Sequence, residues 1–219
     1  MHIRHLQLAS HDRSALAAFY LETLGLPGVI GKHDFTCTVG SSTLSFIEAG
    51  GHEPTHYHVA FNIPPKQLND AKRWLAKRVS LVTDASGDDK FHFDHWNADA
   101  IYFYDPAGNL IELIARQGLS AQPVKPFSSA ALLGISEIGI VTDDVIAAVK
   151  GIQSHTGSPI YRGTLDENFT PVGDEHGLLI VVKRGRLWYP DSRLAAAPAP
   201  IRAEIENETG ERIYFALPA

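Results

Sequence analysis

The chain has 219 residues, 44% of them apolar and 20% charged, with 18 glycines and 13 prolines, a globular composition that excludes disorder and fibrous repeats. Nineteen lysines and arginines against 25 acids leave a net charge of -6 with no long block of one sign, so a nucleic-acid partner has no electrostatic footing. A single cysteine, Cys37, excludes an intrachain disulfide and a cysteine-built metal site and fits a reducing, cytoplasmic setting, and no apolar run approaches the roughly 18 residues of a membrane span.

From the N-terminus, His5 to Ala9 alternates like a strand, and Asp12 is placed to cap a helix from Arg13 to Leu24 that stops at Gly25. A short strand near Val29 and Ile30 follows, then strands at Phe35 to Val39 and Thr43 to Ala49 joined by Gly40-Ser41-Ser42. The order is βαβββ. The same order recurs with a strand at Tyr57 to Ile63, a helix opened by Pro64-Pro65 and running through Arg78, a short strand near Leu81 and Val82, and strands at Ala100 to Tyr104 and Leu110 to Ala115. His5 and His58 hold the same place in their first strands, 53 residues apart, and Glu48 and Glu112 stand on the last strands. The second unit is longer by about 11 residues, assigned to an insertion at Asp88 to Asn97.

A third copy follows the proline-containing linker Gln122 to Phe127: a strand at Ile138 to Thr142, a helix from Asp143-Asp144 to Gly157, and a turn and last strand at Val172 to Val181. That last segment matches Phe103 to Glu112 at a constant offset of 69, which puts Val181 in the glutamate place, and Glu137, 44 residues earlier as in the first unit, stands in the histidine place. This copy is expected to keep the shape and lose the ligands. A hairpin of Ile201 to Ile205 and Arg212 to Leu217 ends the chain. The expected modules are therefore residues 1–52, 53–120 and a divergent third at 130–219, and the fold class is α+β: mostly antiparallel, cup-shaped sheets with helices outside.

Eleven histidines against one methionine make histidine the residue to follow. Strand alternation puts His5 with Gln7 and His58 with Ala60 and Asn62, on the faces opposite Leu6, Leu8, Val59 and Phe61. Two histidines and two glutamates on corresponding faces suit a divalent ion such as Zn, Ni, Mn or Fe, with positions left for water and substrate. His56 shares the parity of His58 and is expected near the pocket rim. The insertion supplies His92, His95 and Trp96, and Tyr102 and Tyr104 share a strand face, all candidates for covering a small-molecule substrate or moving protons. Lys183, Arg184 and Arg186 form a basic hairpin end, suited to an anion or to solvent.

The stretches from His5 to Ser14, with Phe19-Tyr20 and Leu24 to Pro27, His58 to Phe61, and Tyr104 to Leu113 together resemble the vicinal oxygen chelate superfamily, which contains glyoxalase I, fosfomycin and bleomycin resistance proteins and extradiol dioxygenases. The resemblance covers residues 1 to about 116, and 134 to 186 as a degenerate copy. Carried over position by position, it implies one divalent ion per chain on His5, Glu48, His58 and Glu112, with Glu48 or Glu112 moving a carbon-bound proton in glyoxalase-like lyase chemistry through a metal-stabilised enediolate. Two alternatives stand beside it: an Fe(II) ring-cleaving dioxygenase using His5, His58 and Glu112, and a non-catalytic, bleomycin-resistance-like protein that sequesters a small molecule. A homodimer is compatible with any of them.

Overall fold

In the computed structural model, which describes residues 1–50 and 55–218, the first unit runs β1 (His2–Ser10), α1 (Arg13–Ala17), β2 (Gly28–Ile30), β3 (Asp34–Val39) and β4 (Ser42–Glu48). The expected module boundary at residues 52 and 53 lies outside the described residues. Asp12 caps α1 by accepting from the Ala15 amide at 3.2 Å. The helical path then widens into a π turn over Ala18–Thr23 and closes at Gly25, whose φ of +69° a side chain would resist.

The second unit is β5 (His58–Ile63), α2 (Leu68–Leu75), β6 (Phe91–Phe93), β7 (Ala98–Tyr104) and β8 (Leu110–Arg116). Here the structure corrects two expectations. Pro64-Pro65 forms a turn closed by the Gln67 amide on the Pro64 carbonyl, so α2 starts later and ends earlier than expected. Leu81 makes only a single bridge to Phe103, and the insertion instead supplies the unit's short strand, because Phe91 pairs with Ala100 and buries its ring. The third unit is β9 (Gly134–Thr142), α3 (Val145–Thr156), β10 (Phe169–Asp174) and β11 (Gly177–Lys183), with Asp144 capping α3 and Gly157 ending it; β12 (Ile201–Glu206) and β13 (Arg212–Leu217) close the chain as a hairpin.

Within each unit the first strand lies parallel to the last: β1 beside β4, β5 beside β8, β9 beside β11. The units join through their first strands, β5 antiparallel to β9 and β1 antiparallel to β9 at Ile3 and Ile135, and β1 also pairs antiparallel with β12 of the terminal hairpin, in one continuous sheet among the described residues. Two cups result. One lies between the second and third units, the other between the first unit and the terminal hairpin.

Strand alternation sorts the side chains. On β8, Ile111, Leu113 and Ala115 join the core that Leu16, Tyr20, Leu68, Leu75 and Val149 of the helices cover, while Leu110 and Ile114 join a separate cluster on the concave side with Phe91, Ile180 and Trp188. Each such large side chain contributes about 1.5–3 kcal/mol by leaving water. Glu112 therefore faces the cup because its neighbours are claimed by the helices. Among the described residues, no helix is long and apolar enough to cross a membrane.

Candidate metal centre

Three adjacent strands build the site. Ala60 on β5 has Glu112 directly beside it on β8 and Glu137 directly beside it on β9. The methyl group of Ala60 leaves the space between the two carboxylates open, and His58, two residues back on the same face, leans over it. His58 Nε2 lies 3.5 Å from Glu112 Oε2 and 3.6 Å from Glu137 Oε2. One donor atom from each of the three residues falls within 4.8 Å of the others, and all three side chains are buried.

Burial first, and then the charge of Glu137, push the Glu112 carboxyl well above the usual carboxylate range; Arg116 and the Tyr102 hydroxyl pull the other way. Arg116 is fully buried, ion-pairs with Glu137 through Oε1, and places its Nε 3.3 Å from the Ser136 hydroxyl. Its guanidinium packs over Trp96 at 5.1 Å and Tyr161 at 5.6 Å. One oxygen of Glu137 is thus held by Arg116 while the other faces His58.

A cavity of about 500 Å³ opens over these residues, walled by Phe93, Trp96, Tyr102, Phe169, Trp188 and Tyr189, with His92, His95 and Arg186 also lining it. The Trp188 ring sits 4.8 Å from the His58 ring. It reaches there because residue 139 is glycine: a Cβ would stand 2.8 Å from Trp188 Cη2. At the mouth, His92 has Asp99 Oδ1 3.0 Å from Nδ1 and Asp94 Oδ1 3.1 Å from Nε2, and these carboxylates, Asp99 first, raise its pKa.

Of the four expected ligands the structure brings together two. His58 and Glu112 meet, but His5 and Glu48 lie elsewhere. Strand register gives the reason: Ala60 faces Glu112 just as Gln7 faces Ser45, so the position matching Glu112 in the first unit is Ser45. Glu48 is three residues further on, on the opposite face at the strand end, where it is exposed and 3.6 Å from Arg13 Nε. In the third unit Gly139 faces Ile180, so Ile180, and not Val181, matches Glu112; Ile180 lines the cavity. Glu137, expected to stand alone in a unit without ligands, stands in the group. Among the pocket candidates His92, His95, Trp96 and Tyr102 line the cavity, whereas His56 lies outside it with Nδ1 3.1 Å from the Ala107 carbonyl oxygen. Tyr104 donates to Asp191 at 3.1 Å and is pushed up to about 12, chiefly by burial. The sequence had put Glu137 in the histidine place; what it lacked was the pairing of β9 with β5, which turns an isolated acid into a third donor.

The donor set suits a divalent ion. Two buried carboxyl groups lie beside one imidazole, and an imidazole with two carboxylate oxygens is an ordinary transition-metal donor set. No protein-family model matches the chain, and no curated protein matches it in sequence. Among solved structures, a candidate dioxygenase from Bacillus subtilis superposes on 96% of this chain and 72% of its own, with a TM-score of 0.62 at 15% identity. A lactoylglutathione lyase from Agrobacterium tumefaciens aligns with 53% of this chain and 96% of its own, with a TM-score of 0.43 at 20% identity. Repeated βαβββ units, each with its first strand parallel to its last, give this chain the fold of the dioxygenase structure it superposes on, which is the fold that the resemblance to the vicinal oxygen chelate superfamily implies.

Proposed function

We propose that the chain is a divalent-metal-dependent enzyme that acts on a small molecule with vicinal oxygens, and that His58, Glu112 and Glu137 hold one ion per chain. The observation that carries this reading is the buried His58, Glu112 and Glu137 group at the floor of an aromatic-walled cavity. Bound there, the ion supplies Lewis acidity toward two adjacent substrate oxygens. Two carboxylates and one imidazole make an oxygen-rich set, which favours Mn or Fe over a thiophilic metal.

The leading chemistry is glyoxalase-like proton transfer. Glu112 is the residue to move a carbon-bound proton: its carboxyl lines the cavity, and the Tyr102 hydroxyl bonds to it. Trp188 and Tyr102 pack against the His58 ring and keep water from the floor, and the exposed His95 lines the mouth. A ring-cleaving dioxygenase is the second reading. One feature favours it: Ile180, at the register position of Glu112, offers no fourth donor, so the three ligands leave one side free for substrate and oxygen.

The test is elemental analysis of untagged protein reconstituted with Mn, Fe, Ni or Zn, followed by two assays on the loaded protein. Isomerisation of a 2-oxoaldehyde hemithioacetal supports the first reading; oxygen uptake with a catechol supports the second. A protein that takes up no ion loses both, and the sequestering role replaces them.

A further inference from the structure

The basic hairpin end separates into unlike parts. Arg184 is exposed and forks onto Asp143, with contacts of 2.7 and 3.1 Å. Arg186 turns the other way: it is half-buried and lines the main cavity, its guanidinium 4.9 Å above the Phe169 ring. Its side chain gives one bond, from Nη1 to the Leu187 carbonyl at 3.3 Å. Among the described residues no carboxylate lies within ion-pair distance of it, so its remaining donors have no anionic partner in the fold. Burial alone depresses its pKa, in keeping with a cation that has no counter-charge.

Register locates this cation relative to the metal ligands. Phe169 pairs with Val182, and Val182 lies on the same face as Ile180, two residues along and so about 7 Å away. Ile180 in turn faces Gly139, the same-face neighbour of Glu137. The guanidinium therefore lines the same cavity as the three-ligand group, separated from it along the sheet by Val182 and Ile180 and sharing that cavity with Trp96, Tyr102 and Trp188.

We infer that Arg186 binds a carboxylate of the substrate, so that the substrate is a flat, unsaturated acid whose charged end lies away from the oxygens held at the floor. This rests on the reading of the cavity as the substrate site. A stacked, planar guanidinium with free donors matches a carboxylate geometrically, and the aromatic walls match a planar body.

Calorimetric titration tests this with two probe pairs: benzoate against benzamide on metal-free protein, and 3,4-dihydroxybenzoate against 3,4-dihydroxybenzamide on metal-loaded protein. Each acid should bind about 10-fold or more tighter than its amide, the worth of one charge-assisted contact. Arg186→Gln should abolish the preference while leaving amide affinity unchanged, Arg186→Lys should retain part of it, and Arg184→Gln should retain all of it. Equal binding of acid and amide, binding of neither, or a preference that survives Arg186→Gln overturns the proposal. Failure of the metal reading shows separately, as a protein that takes up no ion and gains nothing from the two hydroxyls while its preference for benzoate persists.

Discussion

His5 Nε2 lies 2.7 Å from the Ser45 hydroxyl, and these two residues occupy in the first unit the strand positions that His58 and Glu112 occupy in the second. One unit pairs its histidine with a hydroxyl, the other with a carboxylate. The cup around His5 holds Gln7, Arg202, Glu204 and Tyr214, with Glu204 committed to Arg212. Among the described residues that line it, the one carboxylate is therefore already neutralised, and the chemistry of the two cups diverges from a single residue per unit.

Metal affinity separates the two ligand sets. His58→Ala, Glu112→Ala and Glu137→Ala should each lower affinity by at least the roughly 10-fold to 100-fold typical of losing a supporting residue. His5→Ala and Glu48→Ala should leave it unchanged. Competition titration against a fluorescent chelator measures all five, and an effect of His5→Ala equal to that of His58→Ala would restore the four-ligand set.

Arg116 bears on stability through Glu137. Arg116→Met leaves a buried carboxylate without its partner and should destabilise the metal-free protein by about 3–5 kcal/mol. Saturating divalent metal should restore much of that loss, since it supplies the missing positive charge to the folded state only. Urea unfolding with and without metal gives the comparison; a loss that metal does not reduce would place Glu137 outside the ion's reach.

Residue 139 sets the position of Trp188. Gly139→Ala puts a methyl group where the indole now packs and should cost about 1–3 kcal/mol by overpacking. With the indole displaced from the His58 ring, tryptophan emission should shift to longer wavelength and His58 should become reactive to diethylpyrocarbonate. Unchanged emission would show that the ring moves aside within the cavity.

Asp105 gives a pH dependence of definite sign. It accepts from the Tyr20 hydroxyl at 3.0 Å and from the Asn109 side chain at 2.8 Å, yet burial outweighs these bonds and raises its pKa from 3.8 to about 6. Because the folded value is the higher one, its contribution to stability is complete below pH 3.8 and declines as pH rises to about 6, by roughly 3 kcal/mol in all. Asp143 and Glu206, with depressed values, act in the opposite direction. The stability of wild type minus that of Asp105→Asn isolates the Asp105 contribution: this signed difference should fall between pH 4 and pH 7, and a difference that rises would reverse the assignment.

The sequence by itself determined the repeated unit, the caps of α1 and α3, the hairpins, and His58 and Glu112 as partners, because each rests on local chemistry: a side-chain cap, a turn, an alternation of two. The offset of 69 that aligned the last strands of the second and third units is off by one from the paired register, and Glu48 lies three residues past the register position in the first unit; an odd shift on a strand reverses the face, so Val181 and Glu48 took the places of Ile180 and Ser45. Which units share a cup was decided only by tertiary structure. The pairing of β9 with β5 carries Glu137 across to His58, the pairing of β12 with β1 draws His5 away, and the loop beyond β11 returns Trp188 and Arg186 to the cavity. Such pairings join segments far apart in the chain, and the preference among first strands lies in the burial that the whole sheet achieves, which no local pattern encodes.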